Sequence, residues 1–194
     1  MLFKKKDITY TDLVQNDFVF TKIQIPEGFV DYLDSLKYAG DEEPSEDIKY
    51  KIMEVDKDLD IKIKDLILSQ LSVDDQIKND IQSFQFGIDK YTKGDGLPLH
   101  TDKGRINPYE VLLYIPKDNT FVGRDLHIVS PDYNLKVRPI PGLLCFINAF
   151  AENTYHGVTE LTSDSELYVI IGGIGINSRE WRDSINLKEK KLHA

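Results

Sequence analysis

His100-Thr101-Asp102 sets an imidazole and a carboxylate two residues apart. On an extended segment residues i and i+2 project to the same side, so both side chains can reach one ion. A second imidazole arrives with His156, in Asn153-Thr154-Tyr155-His156-Gly157-Val158, beside the apolar strand predicted at 143–147. Two imidazoles and one carboxylate on one face of an ion leave the opposite face open, a donor set suited to an oxygen-reactive ferrous site. His-x-Asp alone also describes a surface histidine paired with a carboxylate, so the elements around it decide its meaning.

Those elements change texture along the chain. The first third reads as polar and helical. Phe29, Tyr32, Leu33 and Leu36 recur at helical spacing after Pro26-Glu27-Gly28, and a second helix is predicted over 59–71. Ser72-Val73-Asp74-Asp75 resembles an N-cap with acidic first-turn residues and opens a third helix towards Ile81. The acidic stretch 40–47, GDEEPSED, lacks apolar anchors and reads as a loop. From Phe84 onward, short runs rich in Val, Ile, Leu, Tyr and Phe alternate with turn residues, at 84–91, 109–115, 125–129, 135–138, 143–147 and 167–174. Many short strands at this spacing form a sandwich or barrel rather than βαβ units. The expected class is α+β, a β jelly roll buttressed by N-terminal helices. A single domain is expected over 1–194, with helical support in 1–83, the roll in 84–176 and a tail in 177–194.

Composition sets outer bounds. At 194 residues, 41% hydrophobic and 29% charged, the chain suits one globular domain. No apolar run reaches the roughly 18 residues of a membrane helix, and MLFKKKDITYTDL lacks the apolar core of a secretory signal. Cys145 is the only cysteine and sits in LLCFI, where a buried structural thiol is expected. These features favour a reducing, cytoplasmic setting. A net charge of −9 argues against nucleic acid as a partner, with Lys4-Lys5-Lys6 and 188–191 read as solvated tails.

Five ordered segments resemble the 2-oxoglutarate/Fe(II)-dependent oxygenases, in their prolyl-hydroxylase-like branch. Tyr91-x-x-Gly94 before His100-x-Asp102 is similar to the family's Tyr-x-x-Gly…His-x-Asp, and Val111-Leu112-Leu113-Tyr114-Ile115 to its next strand. Phe121-Val122-Gly123-Arg124-Asp125-Leu126 resembles Phe-x-Gly-Gly-Glu-Leu, and Pro139 through Gly142 to Phe146 resembles the strand before the second histidine. His156-Gly157-Val158 matches His-x-Val. The resemblance covers 84–174. It implies a cupin-like double-stranded β-helix, with His100, Asp102 and His156 as catalytic metal ligands for Fe(II). It also implies that Tyr91, Tyr114 and Leu126 line a 2-oxoglutarate pocket. The implied reaction is hydroxylation of a C–H bond with O2, on a peptidyl side chain or a small molecule, releasing succinate and CO2.

The family's cation for the distal carboxylate of 2-oxoglutarate follows the second histidine by nine or ten residues, where this chain has Ser165 and Glu166. Bidentate pairing explains an arginine there, and a glutamate would repel the cosubstrate. Arg124 is the expected substitute, sharing a face with Leu126, with Arg105 and Arg138 as further candidates. A register shift that turns Glu166 outwards is another way round the clash. His127 should face away from the site, and His193 lies on a polar tail. Trp181 is expected to seal the end of the roll, and loops 103–108 and 117–123 to select substrate. Two other readings stay open: a cupin-like metalloenzyme that does not use 2-oxoglutarate, against which His-x-His is absent, and a non-catalytic jelly-roll binding module.

Overall fold

Three runs, Val111–Ile115, Leu143–Ile147 and Leu167–Ile171, are apolar at nearly every position. A strand with one solvated face would alternate, so continuous apolarity means burial on both faces. The computed structural model, which describes residues 8–39, 50–101, 109–118, 120–148, 151 and 153–174, bears this out. Strands β5 (Tyr109–Pro116), β8 (Leu143–Asn148) and β10 (Leu167–Ile174) form the centre of a six-stranded antiparallel sheet, in the order β1-β8-β5-β10-β3-β2. Its outer members are β1 (Phe18–Lys22), β3 (Gly87–Tyr91) and β2 (Lys51–Ile52).

One face of this sheet carries Val111, Leu113, Ile115, Leu144, Phe146, Tyr168 and Ile170 against the helices. The other carries Leu112, Tyr114, Leu143, Cys145, Ile147, Leu167 and Val169 towards the second sheet. That second sheet has four strands, β4 (Leu97–His100), β9 (Tyr155–Val158), β6 (Leu126–Val129) and β7 (Asn134–Val137), in the order β4-β9-β6-β7. Strands β6 and β7 alternate in burial along their length, as expected of a sheet wet on one side. The α+β jelly roll expected from the sequence is the architecture found.

The helices are α1 (Tyr10–Gln15), α2 (Phe29–Asp34), α3 (Lys57–Leu68) and α4 (Asp75–Ser83). Asp74 caps α4, its carboxylate accepting from the Ile77 N–H at 2.9 Å, and Asp56 caps α3 in the same way at Leu59. Buried Asp60 ties α3 to the sheet by accepting from the Phe86 N–H at 2.9 Å. The first third is less uniformly helical than its composition suggests, because β1 and β2 extend the large sheet from within it. The acidic stretch 40–47, Trp181 and His193 lie outside the described residues. No helix among the described residues is long and apolar enough to cross a membrane.

Candidate active site

The small sheet brings the two histidines together. β4 pairs antiparallel with β9 so that His100 and His156 are direct cross-strand partners, their ring centroids 4.4 Å apart. His156 therefore sits in the opposite sheet from β8, paired through β9 to β4 and β6 and not beside the strand at 143–147. Gly157 makes the pairing possible. A Cβ there would meet the Leu97 carbonyl oxygen at 2.7 Å and that of Pro98 at 2.8 Å. His100 is oriented by its own strand, with Nδ1 2.9 Å from the Pro98 carbonyl oxygen. An Nδ1–H donated to that oxygen leaves the lone pair on Nε2, the tautomer a metal-binding imidazole needs.

His156 is 5% exposed and opens onto the space between the sheets, where Glu110 of β5 approaches from the opposite side, its Oε2 3.8 Å from His156 Nε2. Glu110 has the same parity as Leu112 and Tyr114, so it shares their inward face. Reading the sequence missed this carboxylate because it stands inside an apolar strand. Its parity with Tyr114 was the available signal. Asp102 and Arg105 lie outside the described residues, and among those described no three His, Cys, Asp or Glu side chains close on a single point.

A second polar group lies in the same interior. The backbone turns inward at Gly123 (φ 96°) and Arg124 (φ 56°), where Gly123 bridges Leu161 so closely that a Cβ would sit 2.2 Å from the Glu160 carbonyl oxygen. The Arg124 side chain is 2% exposed, and its guanidinium lies 3.6 Å from the centroid of the Tyr91 ring. Its Nε and Nη1 have no hydrogen-bond partner among the described residues. Burial pulls the guanidinium below its ordinary pKa, a shift opposed by neighbouring Tyr91 and Tyr114, yet an arginine so placed stays charged. Burial likewise drives both phenols far above their usual range, so Tyr91 and Tyr114 remain protonated donors. The Tyr91 hydroxyl donates to Asp89 Oδ2 at 3.0 Å. Leu126 is buried in the same cluster as the two tyrosines.

The remaining expectations sort by face. Arg138 is exposed and pairs with Asp125 at 3.2 Å, which removes it from the interior. Glu166 does not face the interior either. It precedes Leu167, which points inward, and so projects to the helix side, where Lys90 and Lys117 each hold it at 2.9 Å. Burial alone would raise its pKa, but these two ammonium groups hold it below the usual carboxylate value. Ordinary strand alternation turns Glu166 away and leaves Ser165 buried. His127 faces away from the core and meets Asn134 Oδ1 at 2.8 Å, and Cys145 is buried between the sheets.

This layout of a large and a small antiparallel sheet recurs in solved structures. A prolyl hydroxylase from Trichoplax adhaerens, in complex with a hypoxia inducible factor degradation-domain peptide, superposes with a TM-score of 0.58 at 14% identity, covering 84% of this chain and 86% of that one. A prolyl-4-hydroxylase from Pseudomonas putida gives 0.55 at 17% identity over 85% and 96%. The fold is the double-stranded β-helix of the 2-oxoglutarate/Fe(II) oxygenases. A 2OG-Fe(II) oxygenase-family oxidoreductase from Burkholderia pseudomallei shares it, with a TM-score of 0.55 at 13% identity over 86% and 94%. No protein-family profile and no curated protein matches the chain. Likeness at this identity is likeness of the double-stranded β-helix alone, and function has to be argued from the site.

Proposed function

We propose that the chain is a 2-oxoglutarate-dependent hydroxylase that holds Fe(II) through His100, Asp102 and His156 and anchors the distal carboxylate of 2-oxoglutarate on Arg124. The observation that carries this reading is the buried guanidinium of Arg124, with two nitrogens lacking partners among the described residues, in the same interior as the histidine pair. A buried guanidinium with two unpartnered nitrogens is costly, so a site that keeps one suits an anion that arrives later. Glu110, beside His156, and Tyr114, beside Arg124, lie four residues apart on one face of β5, about 13 Å between Cα atoms. Side chains from both ends shorten that gap to the scale of a dicarboxylate.

In this reading Arg124 receives the carboxylate by charge-assisted hydrogen bonds, and the Tyr91 ring braces the guanidinium from one face. Tyr114 offers a protonated hydroxyl, and Leu126 supplies an apolar wall. The Pro98 carbonyl fixes the tautomer of His100, and the close β4–β9 contact at Gly157 holds the two imidazoles at one point. When bound, Fe(II) with 2-oxoglutarate and O2 supplies the oxidation, in which cosubstrate is converted to succinate and CO2 while a C–H bond is hydroxylated. A peptidyl substrate is supported by exposed Leu97 and Leu99 on β4, an edge strand of its sheet among the described residues. The peptide-bound Trichoplax structure, which has this fold, is consistent with that class.

The test is 2-oxoglutarate-dependent succinate release by protein loaded with Fe(II) without air and then supplied with O2. The expected result is turnover that disappears in His100→Ala. Iron binding with neither turnover nor 2-oxoglutarate binding would end the reading.

A further inference from the structure

His156 is the second residue of β9, so whatever fixes the start of that strand fixes the histidine. The β4–β9 ladder carries a register irregularity between Leu97 and His100, and such a bulge disrupts the bonds between strands locally. On its other edge β9 is paired with β6 as far as Tyr155, opposite Val129, the last residue of β6. Just before Tyr155 the chain turns through Asn153, at φ 61° in the left-handed region. A strand end of this kind frays unless something beyond the ladder holds it.

Asp17 supplies the hold. Its carboxylate Oδ2 accepts from the Thr154 hydroxyl at 2.7 Å and also from the Tyr133 hydroxyl. Thr154 is buried, and alternation puts it on the same face as His156, two residues on. Tyr133 lies in the turn from β6 to β7, where its carbonyl accepts from the Ser130 N–H at 2.9 Å. Burial and the bond to Asp17 hold the Tyr133 phenol above its ordinary pKa, so it stays a donor. One oxygen therefore ties the adjoining ends of β9 and β6, both in the small sheet. Asp17 itself is anchored to the large sheet. Its carbonyl accepts from the Asn148 N–H at 2.7 Å, and Phe18 beside it pairs with Ile147. Ile147 pairs in turn with Glu110, which faces His156. The tie thus joins the two sheets at the histidine end of the interior. Hydrogen bonds to an ionised acceptor are stronger than neutral ones, whereas apolar packing between sheets has no direction of its own.

We propose that Asp17 is a positioning residue for the histidine pair, fixing His156 through Thr154 against the large sheet, an inference that rests on the metal site proposed above. It is read first without metal, by NMR of the full chain carrying isotope-labelled histidine, the His156 signal being the one lost in His156→Gln. A nuclear Overhauser contact between the His100 and His156 rings is expected in wild type from their 4.4 Å separation. Thr154→Val keeps the shape and removes the hydroxyl. It is expected to shift the His156 ring signals, to weaken that contact, and to lower Co(II) affinity about 3- to 10-fold, the worth of one hydrogen bond. Asp17→Ala is expected to match it, and Thr154→Ser, which keeps the hydroxyl, to restore all three readouts. Thr154→Ala stands in if the valine variant does not fold. Unchanged ring signals and Co(II) affinity in Thr154→Val, beside a lower melting temperature and loss of Co(II) in His100→Ala, would overturn the proposal and leave the metal site standing. Co(II) binding that survives His100→Ala would overturn the metal site and this inference together.

Discussion

At Arg124 two costs coincide. Its backbone occupies the left-handed region at φ 56°, which burdens a non-glycine residue by about 1–2 kcal/mol. Its guanidinium is buried against Tyr91 with Nε and Nη1 unpartnered among the described residues, an arrangement costing about 1–3 kcal/mol. An arginine kept for structure would lower stability when removed. One kept for a ligand should do the opposite. Arg124→Met, which retains the length and loses the charge, is expected to raise the unfolding free energy by about 1 kcal/mol, some of the gain being offset by the lost cation–π contact. Urea denaturation of the ligand-free protein checks this. Glu166 shows the same logic in reverse, since its pairing with Lys90 and Lys117 fully accounts for a carboxylate that sequence spacing alone set against the cosubstrate.

At the scale of elements, the site depends on how closely β4 approaches β9. Gly157→Ala would push a methyl group to within 3 Å of three β4 backbone atoms. The strands would have to part, separating His100 from His156, at a cost of about 1–3 kcal/mol. The variant is expected to melt lower and to bind Co(II) more weakly, as measured by thermal unfolding and metal titration. The same pair of strands shows where sequence reading stopped. Strands β5, β8 and β10 were legible because burial on both faces makes continuous apolar runs, and α4 because Asp74 marks its start. β4 reads Leu-Pro-Leu-His and β9 Tyr-His-Gly-Val, too short and too rich in proline and glycine to signal strands alone. β1 was hidden among helices because Phe18–Lys22 owes its pairing to β8, more than a hundred residues away. Motif order did single out His100 and His156, which the structure pairs across β4 and β9, and Tyr91 and Tyr114, which it buries in one cluster. Glu110 was not legible, since a lone carboxylate in an apolar strand gains meaning only from what faces it across the interior.

Over the whole molecule, the division of labour follows the two cores. The helices and one face of the large sheet make an apolar block anchored by Asp60 and by the Lys90–Glu166–Lys117 cluster, with no part in the proposed chemistry. The other face and the small sheet enclose the histidine pair, Glu110, Tyr91, Tyr114 and Arg124. On the proposed reading, stability and function are built on opposite sides of one sheet, which is why Arg124 can be expensive without endangering the fold. The central claim is that this interior takes a dicarboxylate between the metal end and Arg124. Calorimetric titration of 2-oxoglutarate into Co(II)-loaded wild type and Arg124→Met tests it most directly. The account predicts binding by wild type and an affinity about 10- to 100-fold lower in the variant, the worth of a charge-assisted pair. Equal affinity in the two proteins, or no binding to a wild type that holds the metal, would contradict it.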